Sequence, residues 1–127
     1  MNIPKQVKVG GLSYKIEETE EPILVNNQLC YGLADYGTET IKLSNNLQSQ
    51  RVKEATFLHE LFHCIFRDRC IESEDEEYLV DVLAKGLHQV IIDNPKIFEC
   101  KKKVNCNPIT YPSIPPDKLE SIELRGM

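Results

Sequence analysis

The sequence predicts an α+β fold: a small N-terminal antiparallel sheet of about four strands, packed on two antiparallel helices. Three observations carry this. Apolar residues alternate between turn signals as far as Leu43, two long segments with a helical apolar period follow, and a short polar loop joins those segments.

In chain order, Val7 to Glu18 alternates around Gly10-Gly11, a two-residue hairpin signal. The run Glu17-Glu18-Thr19-Glu20-Glu21-Pro22 reads as a solvated acidic loop. Leu29–Tyr36 and Glu39–Leu43 read as two further strands, with a turn at Gly37-Thr38. Ser44-Asn45-Asn46 offers turn and capping chemistry. The first helix is predicted from about Gln50 to Asp68, because Ala55, Leu58, Leu61, Phe62, Ile65 and Phe66 fall on one face. Arg67 and Arg69 suit the negative end of its dipole. Ser73-Glu74-Asp75-Glu76 has the form of a capping box opening a second helix. That helix's apolar face is Leu79, Val80, Leu83, Ala84, Leu87, Val90 and Ile91. Asp93-Asn94-Pro95 ends it and caps a short third helix near Pro95 to Lys101. Beyond it, Pro108, Pro112, Pro115 and Pro116 indicate an extended tail, with one helical turn around Lys118 to Leu124. The expected organisation is one domain over residues 1–103 and a Pro-rich tail over 104–127.

Composition narrows the function. A chain of 127 residues buries roughly two-thirds of its unfolded surface and needs no disulfide staples. A net charge of -5 argues against nucleic acid and against an anionic membrane surface as partners. The basic run Lys101-Lys102-Lys103 reads as a solvated face. No apolar run approaches the length of a membrane span, and Met1 to Lys5 lacks the apolar core of a signal peptide. The five cysteines, Cys30, Cys64, Cys70, Cys100 and Cys106, are odd in number and form no C-x-x-C. They read as reduced thiols of a cytoplasmic protein. Cys64 and Cys70 are better taken as plain thiols than as metal ligands.

The chemistry lies in His59-Glu60-Leu61-Phe62-His63. Residues four apart on a helix share a face ~6 Å along the axis, so two imidazoles converge there. A zinc ion lowers the pKa of a water it holds to near ~7. Glu60 stands where a carboxylate can take that proton and pass it to a leaving group. Two histidines hold zinc poorly, so a third ligand is expected. One zinc-protease pattern requires a glycine at 66 and a histidine at 69; the chain has Phe66 and Arg69. The short loop places the helices antiparallel, with Glu77 level with His63 and Asp81 level with His59. Glu77 and Asp81 share one flank of the second helix. Glu77 is therefore the expected ligand, with Asp81 accepting the second ring N–H of a ligating histidine. Glu76 is assigned to helix capping but remains a rival ligand. His88, two turns past Asp81, reads as a packing or surface histidine.

The pairing of His59-Glu60-Leu61-Phe62-His63 with Glu77-Tyr78-Leu79-Val80-Asp81 resembles the gluzincin arrangement of H-E-x-x-H and a later E-x-x-x-D. The stretches Tyr31 to Tyr36, Thr56 to Glu60 and Leu87 to Pro95 are similar to those of small phage-encoded metallopeptidases. These are distantly related to the ImmA/IrrE group, whose better-known members cleave transcriptional repressors. The resemblance covers roughly residues 5 to 98. It implies zinc ligands at His59, His63 and Glu77, a general base at Glu60, and action inside a bacterial host cell. The 13 residues between His63 and Glu77 are fewer than in larger gluzincins. Tyr31, Tyr36 and Tyr78 are candidates by residue type alone for stabilising an oxyanion.

The expected activity is zinc-dependent hydrolysis of a protein or peptide, with the strand near Ile41 to Leu43 as the sheet edge that receives substrate. The alternative is a non-catalytic, zinc-stabilised binding protein; hydrolysis of a non-peptide amide is a weaker third. The tail is a candidate cover for the cleft.

Overall fold

The N-terminal alternation folds into the expected hairpin. In this computed structural model, which describes residues 1–99, β1 (Gln6–Val9) pairs antiparallel with β2 (Leu12–Thr19) across Gly10-Gly11. Gly10 takes φ 60°, the positive value that the first central position of such a turn demands and glycine adopts freely. A Cβ there would also collide with the Asp68 carboxylate.

The expected all-antiparallel sheet is corrected at one pair. β6 (Thr40–Ser44) runs parallel to β2, with Ile16 opposite Ile41, and β5 (Gly32–Asp35) pairs antiparallel on its other side. The order is β1-β2-β6-β5. A parallel pair needs a long crossover. Here the chain leaves the sheet after β2 to form a separate hairpin of β3 (Ile23–Val25) and β4 (Gln28–Cys30), and β6 then returns between β2 and β5. The strand expected over Leu29–Tyr36 is therefore broken at Tyr31 into pieces of two sheets. The acidic run is only partly a loop, since Glu17, Glu18 and Thr19 belong to β2. β6 is an interior strand, with Ile41 and Leu43 completely buried. It cannot be the substrate edge expected near Ile41 to Leu43; β5 is the edge on that side.

α1 (Gln50–Asp68) has the predicted bounds. Its cap is Ser49 rather than Ser44 to Asn46: the Ser49 hydroxyl accepts the Val52 N–H at 3.2 Å. Cys70 closes the other end in the left-handed region at φ 56°. The Cys70 and Ile71 N–H groups donate to the carbonyls of Arg67 and Phe66. α2 (Glu76–Asp93) starts later than a Ser73 cap implies. Ser73 Oγ accepts from the Asp75 N–H, Asp75 takes the cap position without a side-chain bond, and the capping box does not form. Pro95–Phe98 make a turn rather than the start of a third helix. The rest of that predicted helix, the 103/104 boundary and the Pro-rich tail lie outside the described residues.

The core joins Val9, Tyr14, Ile16, Ile41 and Leu43 of the sheet to Phe57, Leu58 and Cys64 of α1 and Ala84 of α2. Each large side chain fully buried there contributes about 1.5–3 kcal/mol. On α2, Val80 and Ala84 are buried, whereas Leu79, Leu83 and Val90 of the expected apolar face are exposed. At Gly32 the helix and the edge strand come close: a Cβ would stand 2.6 Å from the Thr56 methyl and 3.2 Å from the Lys42 carbonyl oxygen. That approach brings β5 against the part of α1 that carries Glu60. No helix among the described residues is long and apolar enough to cross a membrane.

Candidate metal centre

α1 and α2 are antiparallel, and their facing flanks bring the expected residues together. His59 and His63 sit one turn apart on α1, their rings edge to face with centroids 5.0 Å apart. Both Nε2 atoms point at Glu77, which presents one carboxylate oxygen to each at 2.9 Å. One ligand atom from each of His59, His63 and Glu77 lies within 4.8 Å of the others, so this group could hold a metal ion. Two imidazoles and one carboxylate form a donor set that zinc accepts in sites with an open coordination position.

The other ring nitrogens are also held. His59 Nδ1 meets Asp81 Oδ1 at 3.3 Å, as expected from the level of the two residues on their helices. His63 Nδ1 meets Glu76 Oε2 at 2.7 Å. Glu76 does not form the capping box and lies outside the group that could hold a metal; it meets His63 at Nδ1 as Asp81 meets His59. A carboxylate only accepts, so with a metal on Nε2 each Nδ1 would carry the ring proton and donate it to the carboxylate behind it. The sequence signal for Glu76 was present: two adjacent glutamates in the first turn of α2 are both within reach of a histidine in the last turns of α1.

Glu60 lies on the neighbouring face of α1 and is buried. Burial pushes its carboxyl above the usual range, and Glu77 pushes the same way. His59, His63 and a hydrogen bond from the Ala34 backbone N–H pull it partly back. Asp81 is held below the usual carboxylate range, first by its hydrogen bond to Lys85, Nζ to Oδ2 at 2.8 Å, and further by His59.

The centre opens into a cleft of about 800 Å3. Leu29, Tyr31 and Gly32 form one wall, Arg51, Val52, Ala55 and Thr56 of α1 the floor, and Asp81, Lys85 and His88 of α2 the other wall. Of the three tyrosines, Tyr31 alone lines this cleft. Tyr36 lies under the Arg67 guanidinium, 4.3 Å from its ring centroid, and burial raises its hydroxyl to about 12. Tyr78 is exposed and does not line the cleft. His88 is a packing histidine, buried with Nε2 at 2.9 Å from Glu54 Oε1. Cys64 is a buried thiol raised to about 11, first by burial, and Cys70 is exposed; neither belongs to the metal group. No family model, no curated protein and no solved structure matches the chain.

Proposed function

We propose that this chain is a zinc-dependent hydrolase, a peptidase acting on a protein or peptide with Glu60 as general base. The observation that carries the reading is the convergence of His59 Nε2, His63 Nε2 and the Glu77 carboxylate on one accessible point, with the Glu60 carboxylate on the same helix beside it. Zinc held there supplies a Lewis acid that acidifies water and polarises a carbonyl. Glu60 takes a proton from the attacking water and delivers it to the leaving amine. Its raised pKa suits a group that must be base and then acid in one cycle. Asp81 and Glu76 fix the two imidazoles from behind.

Substrate has a place to lie. Tyr31 O accepts from Ser44 N across the β5–β6 pair, so antiparallel alternation turns Leu33 and Asp35 toward β6 and turns the backbone groups of Gly32 and Ala34 outward. Glu60 lies against this strand: a Cβ at Gly32 would stand 3.4 Å from Glu60 Cγ. A peptide added as a strand along this free edge passes directly beside the general base.

Metal analysis of the purified protein tests the reading first: one zinc per chain is expected, and a chain that neither contains zinc nor takes it up on reconstitution overturns it. Glu60→Gln should then keep the metal and lower turnover of a cleaved peptide by about 10²–10⁴-fold. A biological effect that survives Glu60→Gln undiminished would instead make the chain a zinc-stabilised binding protein.

A further inference from the structure

The cleft has a charge gradient that a general hydrolytic site does not require. At the metal end stand Glu60, Glu77 and Asp81; at the far end of the same floor stands Arg51. Lys85 is already engaged by Asp81 at 2.8 Å. Arg51 makes no ion pair among the described residues. Between the two ends Val52, Ala55, Leu29 and Tyr31 give the lining an apolar stretch, alongside the polar Thr56, Lys85 and His88.

The spacing assigns an occupant. Arg51 precedes His59 by eight positions, about 12 Å along the helix axis at ~1.5 Å per residue. A peptide strand rises ~3.4 Å per residue, so Arg51 lies about three residues from the bond beside the metal. We infer that this cleft selects peptides with an apolar side chain next to the cleaved bond and a carboxylate about three residues further along, the carboxylate held by Arg51. The inference rests on the peptidase reading for the direction in which the peptide lies. An arginine fork is the shape that takes a carboxylate in two parallel hydrogen bonds.

Binding tests this apart from catalysis. Zinc-loaded Glu60→Gln protein is titrated by fluorescence anisotropy with labelled peptides carrying leucine at a fixed position and Glu, Gln or Lys three residues on. The Glu peptide should bind roughly five- to tenfold tighter than the Lys peptide, the size of a partly exposed arginine–carboxylate pair. Arg51→Glu should reverse the order with zinc content unchanged. Equal binding of the three peptides, a preference that Arg51→Glu does not move, or no binding at all overturns the inference. The same peptides incubated with the unaltered zinc protein separate the two readings. Ordered binding without cleavage removes the peptidase reading and leaves the acid-selective cleft; cleavage without order does the opposite.

Discussion

Histidine and carboxylate side chains join α1 to α2 twice. Toward the α1–α2 turn, His59 and His63 meet Glu76, Glu77 and Asp81. Deeper between the helices, His88 meets Glu54. The residue types and the 2.9 Å contact are the same, but the surroundings are opposite. The side chains of Glu77 and Asp81 are 75% and 42% exposed, those of His88 and Glu54 11% and 8%. In the buried set, His88 meets one Glu54 oxygen and Gln50 donates to the other. That set is largely buried, with the N-terminal amine a further 3.7 Å neighbour of Glu54, and it works as a strut. In the open set, two ring nitrogens aim at a single carboxylate, and their outer nitrogens are fixed by two more. Convergence on an accessible point, rather than the presence of histidine and glutamate, is what fits one of them to hold a metal ion.

The largest expected effect breaks the open set. His63→Ala removes one ligand of three, so zinc affinity measured by competition with a chelator should fall more than ~100-fold, beyond what loss of an outer partner costs. His88→Ala should leave it nearly unchanged. A His88→Ala protein that loses zinc would make the strut part of the site and end the distinction. Stability should divide the other way. Glu54→Ala leaves a buried imidazole without its partner and should cost roughly 3 kcal/mol in chemical denaturation of the metal-free protein. His63→Ala, at a set whose carboxylates stay hydrated, should cost less than about 1 kcal/mol. Next in size come the partners behind the ligands: Asp81→Asn and Glu76→Gln should each weaken zinc about 10–100-fold. If Glu76→Gln costs more than Glu77→Gln, the two glutamates exchange roles.

The open set was largely legible in the sequence because it depends on helix geometry. The α1 bounds, the i, i+4 histidines, and the levels of Glu77 and Asp81 follow from a 3.6-residue period and a short loop. What was not legible depends on competition over distance. Ser73 and Glu76 have the form of a capping box, but His63, thirteen residues earlier, offers the Glu76 carboxylate a 2.7 Å contact and draws it away from the helix end. Neighbouring strands in sequence suggest antiparallel pairing, and nothing local tells β6 to enter beside β2. Entry there makes β6 interior, with no free backbone groups to offer a substrate, and leaves β5 as the edge. The β3–β4 hairpin did carry a signal: Asn26-Asn27 both adopt positive φ, 52° and 64°, a conformation asparagine tolerates in tight hairpins. The contact of Glu54 with His88 spans 34 positions and has no pattern that a single sequence displays.

The smallest effect separates the two sets by their response to acid. Burial alone would raise the Glu54 carboxyl, but hydrogen bonds from His88 and Gln50 outweigh it, and the group is held below its ordinary 4.5. Its folded pKa is therefore lower than its unfolded one, so the unfolded chain binds the proton first. The stability this supplies is complete above about pH 4.5 and is lost as pH falls through the lowered folded value. Asp81 is lowered too, first by Lys85, and has the same sign; being half exposed, its share should fade as salt is added. Denaturation of the metal-free protein between neutral pH and pH 3, at low and high salt, distinguishes them. Glu54→Gln should flatten the acid limb in both salts, and Asp81→Asn should flatten it at low salt only. An acid limb unchanged by Glu54→Gln would mean that the buried pair is formed but contributes no net ionisation energy, and that hydrogen bonding alone makes it a strut.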